Sequence, residues 1–302
     1  MWFFYALLTA LAWGAADLYY KKGSDPRDKF SHLKIITIVG LVMGIHGVFY
    51  MIVNDLTFDP YEMVRYLPVS MLYIISMAFG YIGLRYTELS IASPVQNSSG
   101  AITAILLYLF FPREMHPLEI IGIIVVTLGV VGLAIIENRE QKAVLKAQNE
   151  VIDPKYQIGI LAISFSIIYA ILDALGTFAD GIYLDELQLI TEDNALLAYE
   201  FTFFICAVIA FIYVKFVKKQ DFRIFREKDK ALAAIFETAG QFFYVFAMSG
   251  SAIIAAPLIG SYAIFAAILA HIFLKERLNK GQYITIAFVM LGIILLGIVG
   301  EA

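Results

Sequence analysis

Residues 231–274 read ALAAIFETAGQFFYVFAMSGSAIIAAPLIGSYAIFAAILAHIFL, a stretch with one acid, Glu237, and no Lys or Arg. A helix that crosses a bilayer needs about 20 predominantly apolar residues. The stretch therefore holds two such runs, Ala231–Met248 and Ser251–Leu274, joined by a hairpin with almost no linker. Working outward, the other runs are Trp2–Tyr20, Leu33–Val53, Pro68–Thr87, Ser90–Phe111, Pro117–Glu137, Gln157–Ala179, Asn194–Phe216 and Gly281–Gly300. Pro68–Thr87 and Ser90–Phe111 form a second tight hairpin. The polar stretch Asn138–Tyr156 separates the first five runs from the last five. The reading is an all-α membrane protein of ten transmembrane helices. Its parts are a five-helix unit at 1–137, a linker at 138–156 and a second five-helix unit at 157–302.

Composition supports lipid as the solvent. Of 302 residues, 61% are hydrophobic and 16% charged, and the mean hydropathy is +0.79. Soluble domains average about 45–50% apolar and about 25% charged. The net charge of −4 gives no reason to expect a nucleic-acid partner. The single cysteine, Cys206, excludes an intrachain disulfide. No basic residue precedes the first apolar run, so it reads as a retained helix and not as a signal peptide.

Basic residues set the expected orientation. Twenty of the 22 Lys and Arg fall in the connections after odd-numbered runs; only Arg65 and Arg113 fall on the other side. Lys and Arg concentrate on the cytoplasmic side of membrane proteins. The linker is then cytoplasmic and both termini lie outside. The expected location is the plasma (inner) membrane of a prokaryote, with multiple passes.

The two halves repeat one design. Trp13-x-x-x-Asp17 matches Tyr169-x-x-x-Asp173 at an offset of 156 residues. Ile91-Ala92-Ser93-Pro94 matches Ile254-Ala255-Ala256-Pro257, and Leu128-Gly129 matches Leu291-Gly292, both at an offset of 163. Glu114 matches Glu276 at 162. Five helices per repeat force the second copy to enter the bilayer from the opposite side, so the repeats are inverted (5+5), an arrangement that supports alternating access. Of eight prolines, only Pro94 and Pro257 lie inside a run. A proline removes a backbone donor and clashes with the preceding turn, so both are expected to kink their helices. Asn97 and Ser98 share a stripe with Pro94 and are candidate cavity residues.

These landmarks resemble the drug/metabolite transporter superfamily, EamA type. The resemblance rests on Trp13-Gly14, Tyr86-Thr87, Ala92-Ser93-Pro94, Phe110-x-x-x-Glu114 and Leu128-Gly129 in the first half. In the second half it rests on Ala255-Ala256-Pro257, Leu274-Lys275-Glu276-Arg277-Leu278 and Leu291-Gly292. It implies a ten-helix 5+5 basket with a central cavity that moves metabolites, amino acids or drugs, often outward. Asp17 and Asp173 are not part of the family pattern.

Acids inside the apolar runs mark the candidate site. Asp17, Asp173, Glu200 and Glu237 lie within runs, and ionisable groups there usually face a cavity or a partner. Glu237, Gly240, Gln241 and Tyr244 share one helical face. Their counterparts at the 163 offset are Ile74, Met77, Ala78 and Tyr81, so only the tyrosine recurs. The alternative for Glu237 is an acid hydrogen-bonded to Gln241 or to a neighbouring helix. Asp17 reads as lying near the cytoplasmic end of the first run and Asp173 near the outer end of the sixth, and Asp17 also stands one turn from Lys21.

Expected substrate-binding residues are Glu237, Gln241, Tyr244, Asn97, Ser98, Trp13 and Tyr169; coupling candidates are Asp17, Asp173, Glu200 and Glu237. Aromatic faces beside carboxylates suit an organic cation. Ordinary helix packing explains most aromatics in membrane proteins, so both readings stand. There is no G-x-x-x-x-G-K-[ST] motif, and His32, His46, His116 and His271 are scattered. No catalytic set, metal site or cofactor is expected.

The leading functional reading is a secondary transporter of a small polar or cationic metabolite or drug, with H+ as a candidate coupling ion. The alternatives are an intramembrane lipid-modifying enzyme and a non-transporting membrane scaffold. The sequence leaves the oligomeric state open.

Overall fold

The computed structural model describes residues 1–23, 28–86, 99–147, 159–274 and 278–300. Every regular element among them is helical. In chain order these are α1 (Trp2–Gly23), α2 (Ser31–Val53), a short α3 (Tyr61–Arg65), α4 (Leu67–Tyr86), α5 (Ser99–Phe110) and α6 (Pro117–Ala147). The second half contains α7 (Gly159–Gly181), α8 (Glu192–Ile212), α9 (Lys228–Gly260), α10 (Tyr262–Leu274) and α11 (Lys280–Gly300). π-helical turns extend α7 through Ile182–Glu186 and α8 through Tyr213–Val217.

Among the described residues, five helical stretches are long and apolar enough to cross a membrane: Ser31–Val53, Ile167–Glu186, Glu192–Val217, Lys228–Phe273 and Lys280–Val299. Shorter apolar helices cover Leu67–Ile82, Ser99–Phe110 and Pro117–Leu133. Their outward faces carry large apolar side chains: Leu109 is 67% exposed and Ile284 70%. An apolar exterior of this extent is what a hydrocarbon solvent stabilises.

The opening stretch folds as α9 and α10, with a further break inside α9. Ser251 sits at φ −173°, ψ 82° inside α9, at the predicted hairpin. A break leaves the first amides of the next helix without intrahelical partners. Asp185, from the π turn after α7, accepts a hydrogen bond from the Ala252 amide at 2.8 Å. The positive helix N-terminus favours that carboxylate. Arg113 completes the cluster, donating to the Ser251 hydroxyl at 2.7 Å and lying 3.7 Å from Asp185.

Several boundaries differ from the sequence reading. The fifth run ends at Glu137 by hydropathy, but α6 continues to Ala147. Residues 138–147, NREQKAVLKA, are rich in Glu, Gln, Lys, Ala and Leu, which favour helix whatever their polarity. The sixth run ends at Ala179 by hydropathy, yet the helical path runs on to Glu186. Pro257 lies inside α9, and the interruption follows it at Ser261 instead of preceding it. There the Ser261 hydroxyl and amide both donate to the Leu258 carbonyl, at 2.6 and 3.1 Å, closing the helix end. Pro94 lies outside the described residues.

Packing pairs elements from the two halves. α1 packs on α9 and α10, α2 on α8, α4 on α7, α5 on α7, and α6 on α11. Two close approaches require glycine. A Cβ at Gly240 would stand 2.3 Å from Trp13 Cδ1, and one at Gly80 would stand 2.7 Å from Tyr169 Cδ2. Trp13 of α1 is thus seated on α9, and Tyr169 of α7 on α4.

Candidate functional site

A cavity of about 100 Å³ lies among these interlocked helices. By volume it holds on the order of several water molecules. α1 contributes Trp13, Asp17 and Tyr20; α7 contributes Tyr169, Asp173 and Thr177; α9 contributes Glu237, Gln241 and Tyr244. α4 adds Tyr73, Met77 and Tyr81, α8 adds Tyr199, and Tyr262 opens α10. Ser99 and Gly100, at the start of α5, also reach it.

Helical spacing explains why these side chains converge. Trp13 and Asp17 stand four residues apart, as do Tyr169 and Asp173, so each pair projects from one face. Glu237, Gln241 and Tyr244 follow the same rule along α9. The Trp13 indole stacks on Tyr244 at 5.2 Å between centroids and meets Tyr262 edge-on at 6.1 Å. Its Nε1–H donates to the Glu237 carbonyl at 3.3 Å. Tyr81 donates to Tyr20 at 2.9 Å, and Tyr73 donates to Thr177 at 3.1 Å and pairs with the Tyr244 hydroxyl.

Three carboxylates therefore share one enclosure. No Lys, Arg or His appears among the described residues that line it. Gln241 is 4% exposed, faces the cavity and makes no hydrogen bond to a described residue. A buried amide normally finds a partner. Chemically the site offers acceptors and aromatic faces, which complement positive charge.

Most of the sequence candidates meet here: Trp13, Asp17, Tyr169, Asp173, Glu237, Gln241 and Tyr244 all line the cavity. Asn97 and Ser98 lie outside the described residues. The sequence reading set Asp17 near the cytoplasmic side and Asp173 near the outer side; the structure corrects this by bringing both to one cavity. The reason is helix length. α1 reaches Gly23 and the α7 path reaches Glu186, so neither acid is terminal.

Glu200 is elsewhere. It is fully buried between α8 and α2, and His46 Nδ1 lies 2.8 and 3.0 Å from its two carboxyl oxygens. His46 packs on Tyr50 and Phe242, and Tyr50 donates to Asp193 at 2.6 Å. The histidine that pairs Glu200 stands 154 residues away in the chain, so no local pattern announces it.

A fifth buried acid escaped the sequence reading. Asp180 is fully buried and accepts a hydrogen bond from Tyr66, while its Oδ2 has no partner among the described atoms. It fell one residue beyond the predicted end of the sixth run. The tyrosines Tyr20, Tyr73, Tyr199 and Tyr262 were also missed as cavity residues. For Tyr73 the signal was present: Tyr73 and Tyr81 stand eight residues apart in the third run, the spacing of one helical face.

An all-helical chain with apolar outer faces and a polar enclosure among its helices defines a class, the multi-pass membrane protein with an internal ligand-sized cavity. The EamA-like transporter family model matches residues 1–135 and 158–298. The chain belongs to that family, within the drug/metabolite transporter superfamily. A solved structure described as "Crystal structure of protein" has the same fold, with a TM-score of 0.65 at 12% identity over 97% of this chain and 98% of that one. No curated protein matches the chain.

Proposed function

We propose that this protein is a secondary transporter that carries a small polar or cationic metabolite or drug across the membrane by alternating access around the central cavity. Its ten spanning helices form two inverted repeats, 1–137 and 157–302, joined by a cytoplasmic linker at 138–156. The termini lie outside and the inner membrane of a prokaryote is its location. Protons couple the movement through Asp17, Asp173 or Glu237.

One observation carries the reading. Residues equivalent by repeat, Trp13 with Tyr169, Asp17 with Asp173 and Tyr81 with Tyr244, line the same cavity from opposite halves of the chain. The packing is consistent with the same exchange. The first and eighth runs pack as the sixth and third do, and the second–seventh and fifth–tenth pairs map onto themselves. A site at the interface of inverted repeats can be opened to either side by rocking one repeat against the other.

Glu237 tests the coupling. It has no acidic counterpart in the first half, where Ile74 stands at the equivalent position. Glu237→Gln keeps shape and removes the titratable group. In reconstituted vesicles with an imposed pH gradient, the wild type is expected to accumulate at least one member of a panel of amines, amino acids and nucleosides. The Gln variant, folded by thermal melt, is expected to lose at least tenfold of that gradient-driven rate. Gradient-driven accumulation of no panel member by the wild type, or an unchanged rate in the variant, would contradict the proposal.

A further inference from the structure

The cavity carries a finer pattern than acidity. Its two aspartates come with matched surroundings. Asp17 stands one turn from Trp13, which is seated against Gly240 of α9; Asp173 stands one turn from Tyr169, which is seated against Gly80 of α4. The helix pairs α1–α9 and α7–α4 are themselves repeat equivalents. The enclosure thus contains two quasi-equivalent half-sites, each an aspartate beside an aromatic ring, facing one cavity of about 100 Å³.

We propose that the cavity binds a short aliphatic α,ω-diamine, one ammonium group in each half-site. This deepens the transporter reading and rests on it. A carboxylate and an aromatic face together form the environment that stabilises an ammonium ion. Two copies of it in one enclosure fit a ligand with two such groups. Gln241 gives an independent sign that something polar belongs there: the residue is 4% exposed, lines the cavity and makes no hydrogen bond to a described residue. Its carbonyl oxygen is an acceptor for an ammonium proton.

Other ligand chemistries fit less well. A monoamine leaves two of the three carboxylates without a counter-charge, whereas a diamine leaves only Glu237, the residue whose proton the transport test probes. An amino acid would set its own carboxylate among Asp17, Asp173 and Glu237, where no described lining residue is basic. A metal ion has no support, since the described residues include no cluster of three His, Cys, Asp or Glu placed to hold one.

The test uses four ligands of one backbone length on the purified full chain in nanodiscs: 1,4-diaminobutane, butylamine, 4-aminobutanoate and 1,4-butanediol. Calorimetry is expected to show the diamine binding at least tenfold more tightly than butylamine, with no measurable binding of the zwitterion or the diol. Asp17→Asn and Asp173→Asn should each cut the diamine-to-butylamine ratio below about threefold. The wild-type series decides the matter even where a variant does not fold. Equal affinity for diamine and butylamine, binding of 4-aminobutanoate as tight as the diamine, or no binding of any of the four would overturn the diamine assignment. Each of those results leaves the transporter reading to the vesicle panel, where gradient-driven accumulation of some other panel member would show that only the substrate class was wrong.

Discussion

In the cavity, Asp17, Asp173 and Glu237 share one enclosure with no basic side chain among the described lining residues. Between α2 and α8, Glu200 is equally removed from water but has His46 at 2.8 Å and apolar rings around the pair. Both places put carboxylates inside a bundle with an apolar exterior. One leaves them open to something that enters, and the other closes the account within the protein. The difference teaches that an acid in an apolar run is not by itself a functional signal; the presence or absence of a basic side chain beside it separates the two kinds.

The largest expected effect lies at the closed pair. His46→Ala strands Glu200 in a buried site. The His46 side chain is 28% exposed, so the cost falls below that of breaking a fully buried ion pair, about 3–5 kcal/mol. The melting temperature of the purified protein should fall by several degrees or more, while ligand affinity per folded molecule stays near wild type because neither residue lines the cavity. An unchanged melting temperature would erase the distinction between the two regions.

The cavity should respond with the opposite sign. Asp173→Asn removes a carboxylate that has no basic residue among the described cavity lining, and keeps the side chain's shape. Functional sites commonly trade stability for activity, so removing a charge held there without a basic partner is expected to stabilise the fold. The unliganded variant should therefore melt higher than wild type, and cation binding should weaken. A lower melting temperature would mean that Asp173 is held by the protein in the manner of Glu200.

A third carboxylate calibrates the small end. Asp28, in the connection between α1 and α2, is partly buried, which alone would raise its pKa. The Lys34 ammonium at 2.7 Å and the Phe30 amide at 2.9 Å outweigh that and hold it below its ordinary 3.8. A depressed folded value means that the stabilisation is present at neutral pH and is lost as pH falls below about 4. Asp28→Asn should cost under about 1 kcal/mol at pH 7, and its melting temperature should converge with wild type toward pH 3. A gap that persists at pH 3 would show that packing, not charge, is responsible.

Much of this molecule was readable in one dimension. The apolar runs, the helix break near Ser251 and the placement of the Glu237–Gln241–Tyr244 face on the cavity follow from hydropathy and helical spacing. What failed was depth and partnership. Asp17 seemed terminal because hydropathy ended the first run at Tyr20, three residues before α1 ends. Asp180 was passed over because apolar composition stopped at Ala179 while the helix did not. Charged and polar residues can extend a helix beyond its hydrophobic stretch, so hydropathy marks the solvent boundary and not the helix end.

The sequence by itself determined the class of the protein, the positions of its apolar runs and the recurrence of Trp13–Asp17 as Tyr169–Asp173. Those properties depend on local periodicity and on comparison of the chain with itself. Only the tertiary structure decided that both aspartates and Glu237 enclose one cavity and that Glu200 is paired with His46. Such pairings join residues more than 60 positions apart, through helix crossings set by which glycines allow close approach. Nothing in local spacing records which helix lies against which, because that choice is made by the fit of whole faces when the bundle closes.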